Sequence, residues 1–556
     1  MKKKFLYHIF LLSLIVLSSS CGVKKSLRAR PDISGIENVD TTRVKHSNTF
    51  YTLNNNLLRK NKQGLWELYI EGTPLERGIA AGSLSRELIK IQEDAFIGKV
   101  TELVPSESYL RFLSKVVAWY NRKLHLNVPE EFKTEIYGVS RYASNDYNDF
   151  AEPYVRMLYA HGAHDIGHAL QDLMLVGCTS FAAWGDKTND GKLLIGRNFD
   201  FYAGDDFSKE KLVTFMNPSK GYKFMTYGWA GMMGALSGMN ETGLTVTINA
   251  GKSKIPLIAK TPISILTREI LQYASTIEEA VAIAKKREVF VSESIMIGSA
   301  KDKRAALIEV SPDNFGVYNV PNSNQLICSN HFQSDSYKED KRNQKAIEES
   351  HSFYRYQRMT ELLSENDKLN PEKAVAILRN KEGLEDKLIG YGNEKALNQM
   401  LAHHGIVFQP EERKVWVSTN PYQMGEFVAY DLDEVFDRIA KQKEDVVIAS
   451  EALNVPEDPF IHTKTYENYE AFRILSRKIE SATENEATIS EEELAKFQRL
   501  NPNYWATHFV IGEYYYTHKK YKKALIAFKQ ALKREVTTVP DVENIQKYIR
   551  KCERKI

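Results

Sequence analysis

The residues most able to do chemistry sit together in VGCTSFAAWGDKTNDGKLLIGRNFDF, residues 176–201. Cys178 stands in an apolar run, where a cysteine can be an inert core residue, because free cysteine is among the most buried residue types. Its neighbours offer a second reading. A strand–turn–strand pattern sets Arg197 and Asp200 on the strand paired with the one that begins at Cys178, bringing a cation and a carboxylate near the thiol. A nearby cation lowers a thiol's pKa and raises its thiolate fraction, as a nucleophile requires. A structural Arg–Asp ion pair is the plain alternative for the same two residues. His161, His164 and His168 are spaced closely enough to raise a metal site. Yet His164 and His168 would share a helix face while His161 would need a compatible turn, and no carboxylate-rich motif accompanies them. We therefore expect no metal and no cofactor. His403-His404 reads as strand structure, and the glycines form no phosphate-cradling pattern.

The elements that must hold these residues follow from periodicity. LWELYIEG (65–72) reads as a strand leading into a helical region to about 175, with amphipathic SESYLRFLSKVVAWYNRKL and PEEFKTEIYGVSRYA. From 178 to about 320 the pattern changes to short strands punctuated by glycine: CTSFAAW, KLLIGRN, KLVTFMN, YKFMTYG, GLTVTIN, SIMIGS and AALIEV. A helix interrupts them near 262–287, where Ser275 or Thr276 with Glu278 or Glu279 makes a capping box. Another helix, roughly 346–365, precedes strands HGIVFQP, KVWVST and EFVAYDL. Strands in two groups with helices between them predict an α+β fold rather than alternating βαβ units. Near the C-terminus, Gly512, Tyr515, Ala524, Phe528 and Ala531 occupy the small and aromatic positions of a tetratricopeptide repeat, with a valine where its proline usually falls. One repeat cannot bury both faces alone, so it should pack on residues 466–500 and on a final helix near 541–553.

The order of motifs resembles a known family. GCTSF and DGKLLIGRNFDF, with GTPLERGIAAG (72–82), YAHGAHDIGHAL (159–170), SGMNETGLTVTINAG (237–251), CSNHF (328–332), SFYRYQR (352–358) and LAHHGIVFQPEERKVWVS (401–418), are similar to the penicillin acyltransferase-like branch of the N-terminal-nucleophile hydrolases, related to choloylglycine hydrolases. The resemblance runs from about residue 65 to 435. It implies an αββα four-layer sandwich and a precursor that cuts itself before its nucleophilic cysteine, here at Gly177–Cys178. The freed α-amino group, with an ordinary pKa of about 8, would take the thiol proton of the same residue. It further implies oxyanion and amine-orienting hydrogen bonds from Asn249 and Asn330, and positioning by Arg197 and Asp200, which match the Arg-x-x-Asp of choloylglycine hydrolases. The family's later arginine falls at Arg355, with Arg358 one turn on as the rival. Without the resemblance both asparagines could equally be ordinary strand-end or turn residues. Some acyltransferases of the branch lack the first arginine, so Arg197 leans toward hydrolysis. The expected activity is a cysteine amidohydrolase cleaving linear C–N bonds of small N-acyl substrates through a thioester on Cys178. Acyl transfer to an amine, or an inert hydrolase fold serving as a scaffold, are the alternatives.

The N-terminus carries a different signal. Residues 1–20 join a cationic start, an apolar run from Phe5 to Leu17 and small residues. That run is too short to cross about 30 Å of hydrocarbon as an ordinary helix but fits a signal-peptide core. Cys21-Gly22 follows and resembles a bacterial lipoprotein signal, although the preceding Ser-Ser-Ser departs from the usual box; a plain secretory leader is the alternative. Lipid on Cys21 would anchor the protein in the cell envelope, facing the periplasm or the exterior. The expected divisions are 1–20 signal peptide, 21–62 polar tether, 63–177 helical smaller chain, 178–440 hydrolase domain and 466–556 helical repeat module, where a protein partner could bind. Composition is permissive: 556 residues with 43% hydrophobic residues can build packed cores, and four cysteines are too few for a disulfide framework. Cys328 reads as strand packing and Cys552 lies in the terminal helix with no evident role. Basic and acidic residues number 75 and 72, and loss of Lys2, Lys3 and Lys4 with the leader would balance them. Global charge therefore predicts no nucleic-acid partner.

Overall fold

Several strands are buried along their whole length, Leu244–Ala250 and Glu293–Ser299 among them, so their sheet must be covered on both faces. The computed structural model describes residues 22–36, 38–104, 106–162, 175–254, 258–366, 368–401, 403–441 and 447–556. The leader, Cys21, His164 and His168 lie outside the described residues. The chain is mixed α/β, with two large sheets and a helical C-terminal region.

Among the described residues the larger sheet has eleven strands. Its fourth and fifth strands, Trp66–Gly72 and Leu212–Pro218, pair in parallel, and the remaining pairings are antiparallel. The smaller sheet runs Gln325–Cys328, Leu175–Ala183, Leu194–Tyr202, His404–Gln409, Lys414–Ser418 and Phe427–Asp431, all antiparallel. Period-two alternation sorts the apolar side chains into three clusters. Leu68, Ile70, Val246, Ile248, Ile295 and Ile297 of the larger sheet pack under helices that include Pro74–Leu84, Glu130–Ser140 and Ile263–Tyr273. Tyr69, Phe215, Met225 and Met296 turn the other way and meet Ile195, Ile406, Phe408 and Val417 of the smaller sheet. Phe181, Leu194, Val407 and Trp416 leave the smaller sheet's other face and pack on helices Ser352–Glu365 and Pro371–Leu378.

The long strands predicted from the sequence form where expected, from Leu175–Ala183 to Phe427–Asp431. Four-residue strands Ser237–Asn240, Phe315–Tyr318 and Gln325–Cys328 were too short to give a period. The tether predicted over 21–62 is corrected in its second half. Residues Phe50–Leu53 and Asn56–Lys60 form a hairpin next to the larger sheet's edge strand Val44–Lys45, with Phe50, Leu53, Leu57 and Leu58 buried and Asn54 in the left-handed region at φ 52°. Polar composition masked an apolar alternation around an Asn-Asn turn. The helix predicted near 262–287 is two helices, Ile263–Tyr273 and Ile277–Lys285. Thr276 is the second helix's N-cap: its hydroxyl accepts from the Glu279 N–H, and the Glu279 carboxylate accepts from the Ser275 N–H. An extended cap residue cannot continue the first helix. Similarly, the helix expected over 346–365 divides into Lys341–Glu349 and Ser352–Glu365.

At the C-terminus, Trp505–Thr517 and Tyr521–Ala531 form a helical hairpin. Gly512 lets the two meet, since a Cβ there would lie 2.5 Å from the Phe528 ring. One side packs on Lys464–Glu484 and the other on Val539–Glu553, as two apolar faces on one hairpin require. No helix among the described residues is long and apolar enough to cross a membrane.

Candidate active site

Cys178 lies in the second strand of the smaller sheet, fully buried, opposite Phe199 of the third. In that register Ser180 faces Arg197 and Gly177 faces Asp200. Cross-strand partners share a face, so Cys178, Ser180, Arg197 and Phe199 project to one side while Thr179 and Asp200 project to the other. Arg197 and Asp200, three residues apart, therefore do not form the simple ion pair their spacing allowed. Arg197 reaches into the larger sheet, donating to the Ser237 hydroxyl and the Ile248 carbonyl, and sets its Nη2 3.8 Å from Cys178 Sγ. Asp200 accepts from Gln423 Nε2 at 3.3 Å, and its other oxygen has no hydrogen-bond partner among the described residues.

Each polar atom of Cys178 has its own holder. The backbone N–H donates to Asn330 Oδ1 at 3.0 Å, the carbonyl oxygen accepts from Arg355 Nη1 at 2.7 Å, and the sulfur faces Arg197. Arg355 also donates to Asn330 Oδ1 at 2.6 Å, and Asn330 Nδ2 donates to the Ala250 carbonyl at 2.8 Å, so this amide is locked between the two sheets. Arg358, one turn later on the same helix, pairs with Glu361 and Asp386 instead. Of the two candidate arginines, only Arg355 touches Cys178. Asn249 is close but engaged on both sides: its oxygen accepts from Ser180 Oγ at 2.8 Å and its nitrogen donates to the Cys328 carbonyl at 3.2 Å. In the uncut chain it joins the sheets.

Burial sets the protonation states. The Cys178 thiol is pushed up to about 11 by burial, with Asp200 and Glu293 adding to the rise and Arg197 opposing it, so it is protonated at neutral pH. Burial also raises the Asp200 carboxyl to about 7, against the pull of Arg355, the Gln423 hydrogen bond and Arg197. Arg355 falls to about 10 for the same reason and stays cationic. His351, half-buried beside Arg355, is held neutral by desolvation and the nearby Arg355 charge, and accepts from Arg355 Nε at 3.1 Å. The arrangement is a protonated thiol beside a cation, with a carboxyl able to take or release a proton near neutral pH behind the Gly177–Cys178 bond. Gly177 itself is enclosed, since a Cβ would lie 2.5 Å from Gln399 Nε2 and 3.2 Å from the His351 ring.

Ser237, Gln423, Gln399, His351 and Glu293 were not expected in this region: Ser237 opens the motif SGMNETGLTVTINAG without standing out in it, and the other four lie outside the quoted motifs. His403 and His404 are more than strand filling. His404 Nε2 accepts from the Ser237 hydroxyl at 2.9 Å, behind Arg197, and its Nδ1 meets His403 Nδ1 at 2.9 Å. His161, by contrast, is spent in the core: Nδ1 donates to the Met157 carbonyl, Nε2 accepts the Met233 N–H, and burial lowers it to about 4. Among the described residues no group of three or more His, Cys, Asp and Glu could hold a metal. Cys328 packs between the sheets, and Cys552 sits in the core of the terminal helices.

Residues 187–421 match the model of the acyl-coenzyme A:6-aminopenicillanic acid acyl-transferase family, a stretch that includes Arg197, Asp200, Asn249, Asn330 and Arg355 and begins just after Cys178. The chain is similar over a comparable length to an uncharacterised protein of Archaeoglobus fulgidus, 27% identical across 46% of this chain and 45% of that one. It is also similar to protein dcd1B of Dictyostelium discoideum, 24% identical across 45% of this chain and 51% of the relative. The chain thus spans about half the length of the curated relatives it matches. Two solved structures resemble part of it. A Caenorhabditis elegans N-acylethanolamine-hydrolyzing acid amidase ortholog is 18% identical, over 42% of this chain and 93% of that one, at a TM-score of 0.31. A mutant of the conjugated bile acid hydrolase from Clostridium perfringens is 14% identical, over 46% and 92%, at 0.32. Neither likeness bears on the reaction.

Proposed function

We propose that the chain is a self-processing N-terminal-nucleophile enzyme that attacks linear N-acyl amides with Cys178 and resolves the thioester with water. The observation that carries this reading is the separate anchoring of the nitrogen, carbonyl oxygen and sulfur of Cys178 by Asn330, Arg355 and Arg197. An inert core cysteine needs partners for its backbone groups, but it needs neither a guanidinium at its sulfur nor charged and amide side chains in place of a strand neighbour. In the first step the thiol attacks the Gly177 carbonyl carbon; the S–C bond forms, the C–N bond breaks, and the thiol proton ends on the departing nitrogen. Water then hydrolyses that thioester, freeing Cys178 as a new N-terminus. Its amino group remains beside Asn330 Oδ1 and serves as base for the adjacent thiol. Attack on a substrate carbonyl places negative charge on oxygen, and the Asn249 and Asn330 amides are the donors assigned to it. Asp200, opposite Gly177, steadies the ammonium form. Helices covering both outer faces of two stacked sheets would make this an αββα sandwich, a reading supported by the three apolar clusters.

The matched family's name favours a second reading, in which an amine rather than water accepts the acyl group. Product analysis with and without added amine separates the two. Lipid anchoring at Cys21, placement in the cell envelope and a tetratricopeptide-like role for the C-terminal hairpin belong to the same proposal. The deciding experiment is a denaturing gel with N-terminal sequencing of the larger band, which should begin at Cys178. Cys178→Ala should stay a single chain and lose amidase activity by a factor on the order of 10⁴. A Cys178→Ala protein that still cleaves amides would refute the mechanism.

A further inference from the structure

Positive charge is concentrated at one end of the molecule. Residues 519–556 carry twelve Lys and Arg against four Asp and Glu, leaving 63 against 68 in the rest of the chain. Two of those four carboxylates are committed elsewhere: Glu535 to Lys387 and Lys395, and Asp541 to the Thr538 cap. Lys520 and Lys523 pair with Glu491, and Lys529 with Glu553. Lys519, Lys522, Lys547, Lys551 and Lys555 form no ion pair among the described residues. A basic face on an otherwise slightly acidic chain is the footprint of an anionic partner.

The basic groups are contiguous across three helices. Lys555 Nζ lies 4.9 Å from the Tyr521 ring centre and 5.4 Å from that of Tyr516, and Lys551 Nζ lies 4.8 Å from that of Tyr548. The Lys529–Glu553 contact joins the same helices further along. On Tyr521–Ala531, the exposed positions Lys522, Ile526 and Lys529 recur at helical spacing, with Ile526 64% exposed between the lysines, and exposed Lys533 follows in the turn after the helix. Ile556, next to Lys555 in the chain, is exposed as well. Lysines beside half-buried tyrosines, with isolated isoleucines between, are the composition of surfaces that lie at a bilayer interface. The amines meet lipid phosphates while the rings and aliphatic groups reach the acyl boundary. An acidic protein or a nucleic acid would engage the lysines and leave the isoleucines unused.

We propose that the face formed by Lys522, Ile526, Lys529, Lys551 and Lys555 docks on a bilayer rich in anionic phospholipid. The contact is independent of the chemistry at Cys178 and of any lipid on Cys21. A chain beginning at residue 22 keeps every described element and isolates the effect. It should co-sediment at low salt with vesicles of phosphatidylcholine containing roughly one third phosphatidylglycerol, be released by high salt, and ignore phosphatidylcholine alone. The triple variant Lys522→Glu, Lys551→Glu, Lys555→Glu should lower the partition by roughly 100-fold. Lys338→Glu with Lys341→Glu, exposed residues elsewhere, should leave it unchanged. If the triple variant folds poorly, Lys522→Glu with Lys547→Glu, away from the ring contacts, reads the same loss. Absence of binding to anionic vesicles, as a purely protein partner would give, equal binding to neutral ones, or undiminished binding by the variants would each overturn the proposal.

Discussion

Asp200 sits at the junction of chemistry and stability. Its carboxyl is raised to about 7 in the folded chain, mainly by burial, against an ordinary value near 3.8. Between those values the folded state holds a proton that the unfolded chain has released, so stability falls as pH rises through the window. The contribution is fully present below the lower value and is lost above the higher, on the order of 4 kcal/mol across it. Asp200→Asn removes this dependence. Its thermal midpoint should gain on the wild type as pH goes from about 5 to about 8, while self-cleavage is lost. An unchanged midpoint difference between those conditions would mean that Asp200 does not titrate there. The same burial keeps the thiol protonated at neutral pH until a base is supplied, and in the proposed mechanism the cut supplies one in the same residue.

At the scale of elements, the motif GTPLERGIAAG is explained by packing. Helices Pro74–Leu84 and Glu130–Ser140 cross so closely that a Cβ on Gly78 would lie 2.2 Å from the Glu135 carbonyl oxygen, and one on Gly138 2.7 Å from the Gly78 backbone. The crossing is fastened by a buried ionic group: Arg77 Nε donates to Glu135 Oε1 at 2.6 Å, and Arg268 Nη1 to Glu135 Oε2 at 3.1 Å. Arg268 arrives from Ile263–Tyr273, so three helices above the larger sheet share one carboxylate. Gly78→Ala must separate two backbones and should destabilise by about 2 kcal/mol or more. Gly98→Ala, in a helix with nothing within 4 Å of the new Cβ, should be neutral or stabilise by about 0.5–1 kcal/mol. Thermal unfolding of the pair tests the argument, and equal midpoints would contradict it.

For the whole molecule, the proposed cut does not separate two domains. The piece before Cys178 provides four strands of the larger sheet, and its Trp66–Gly72 pairs with Leu212–Pro218 of the other piece over seven residues. Its helices cover the same sheet. Processed protein should therefore run as two bands on a denaturing gel and as one species in size-exclusion chromatography, parting only when the larger sheet unfolds. Dissociation without denaturant would be incompatible with a sheet shared across the cut. The C-terminal helices are also bound to the core, through Arg473 and Arg477 to Asp205 and through Lys387 and Lys395 to Glu535, so the basic end has a fixed orientation relative to Cys178.

Local pattern determined the long strands, the Thr276 cap and the helical hairpin around Gly512, because periodicity, capping and close approach are properties of neighbouring residues. Motif order also pointed to Cys178, Arg197, Asp200, Asn330 and Arg355 as a group. Only the tertiary structure separates Arg355, which touches Cys178, from Arg358, which pairs with Asp386, although the two lie three residues apart on one helix. Likewise, it turned Asp200 away from Arg197 through strand alternation and engaged Asn249 between the sheets. Ser237 and His404 lie inside two of the quoted motifs, but their contact with each other behind Arg197 joins strands far apart in the chain, which spacing within a motif does not record. A sequence records which groups exist and what their neighbours favour. Which of them meet a buried thiol depends on sheets assembled from residues hundreds of positions apart.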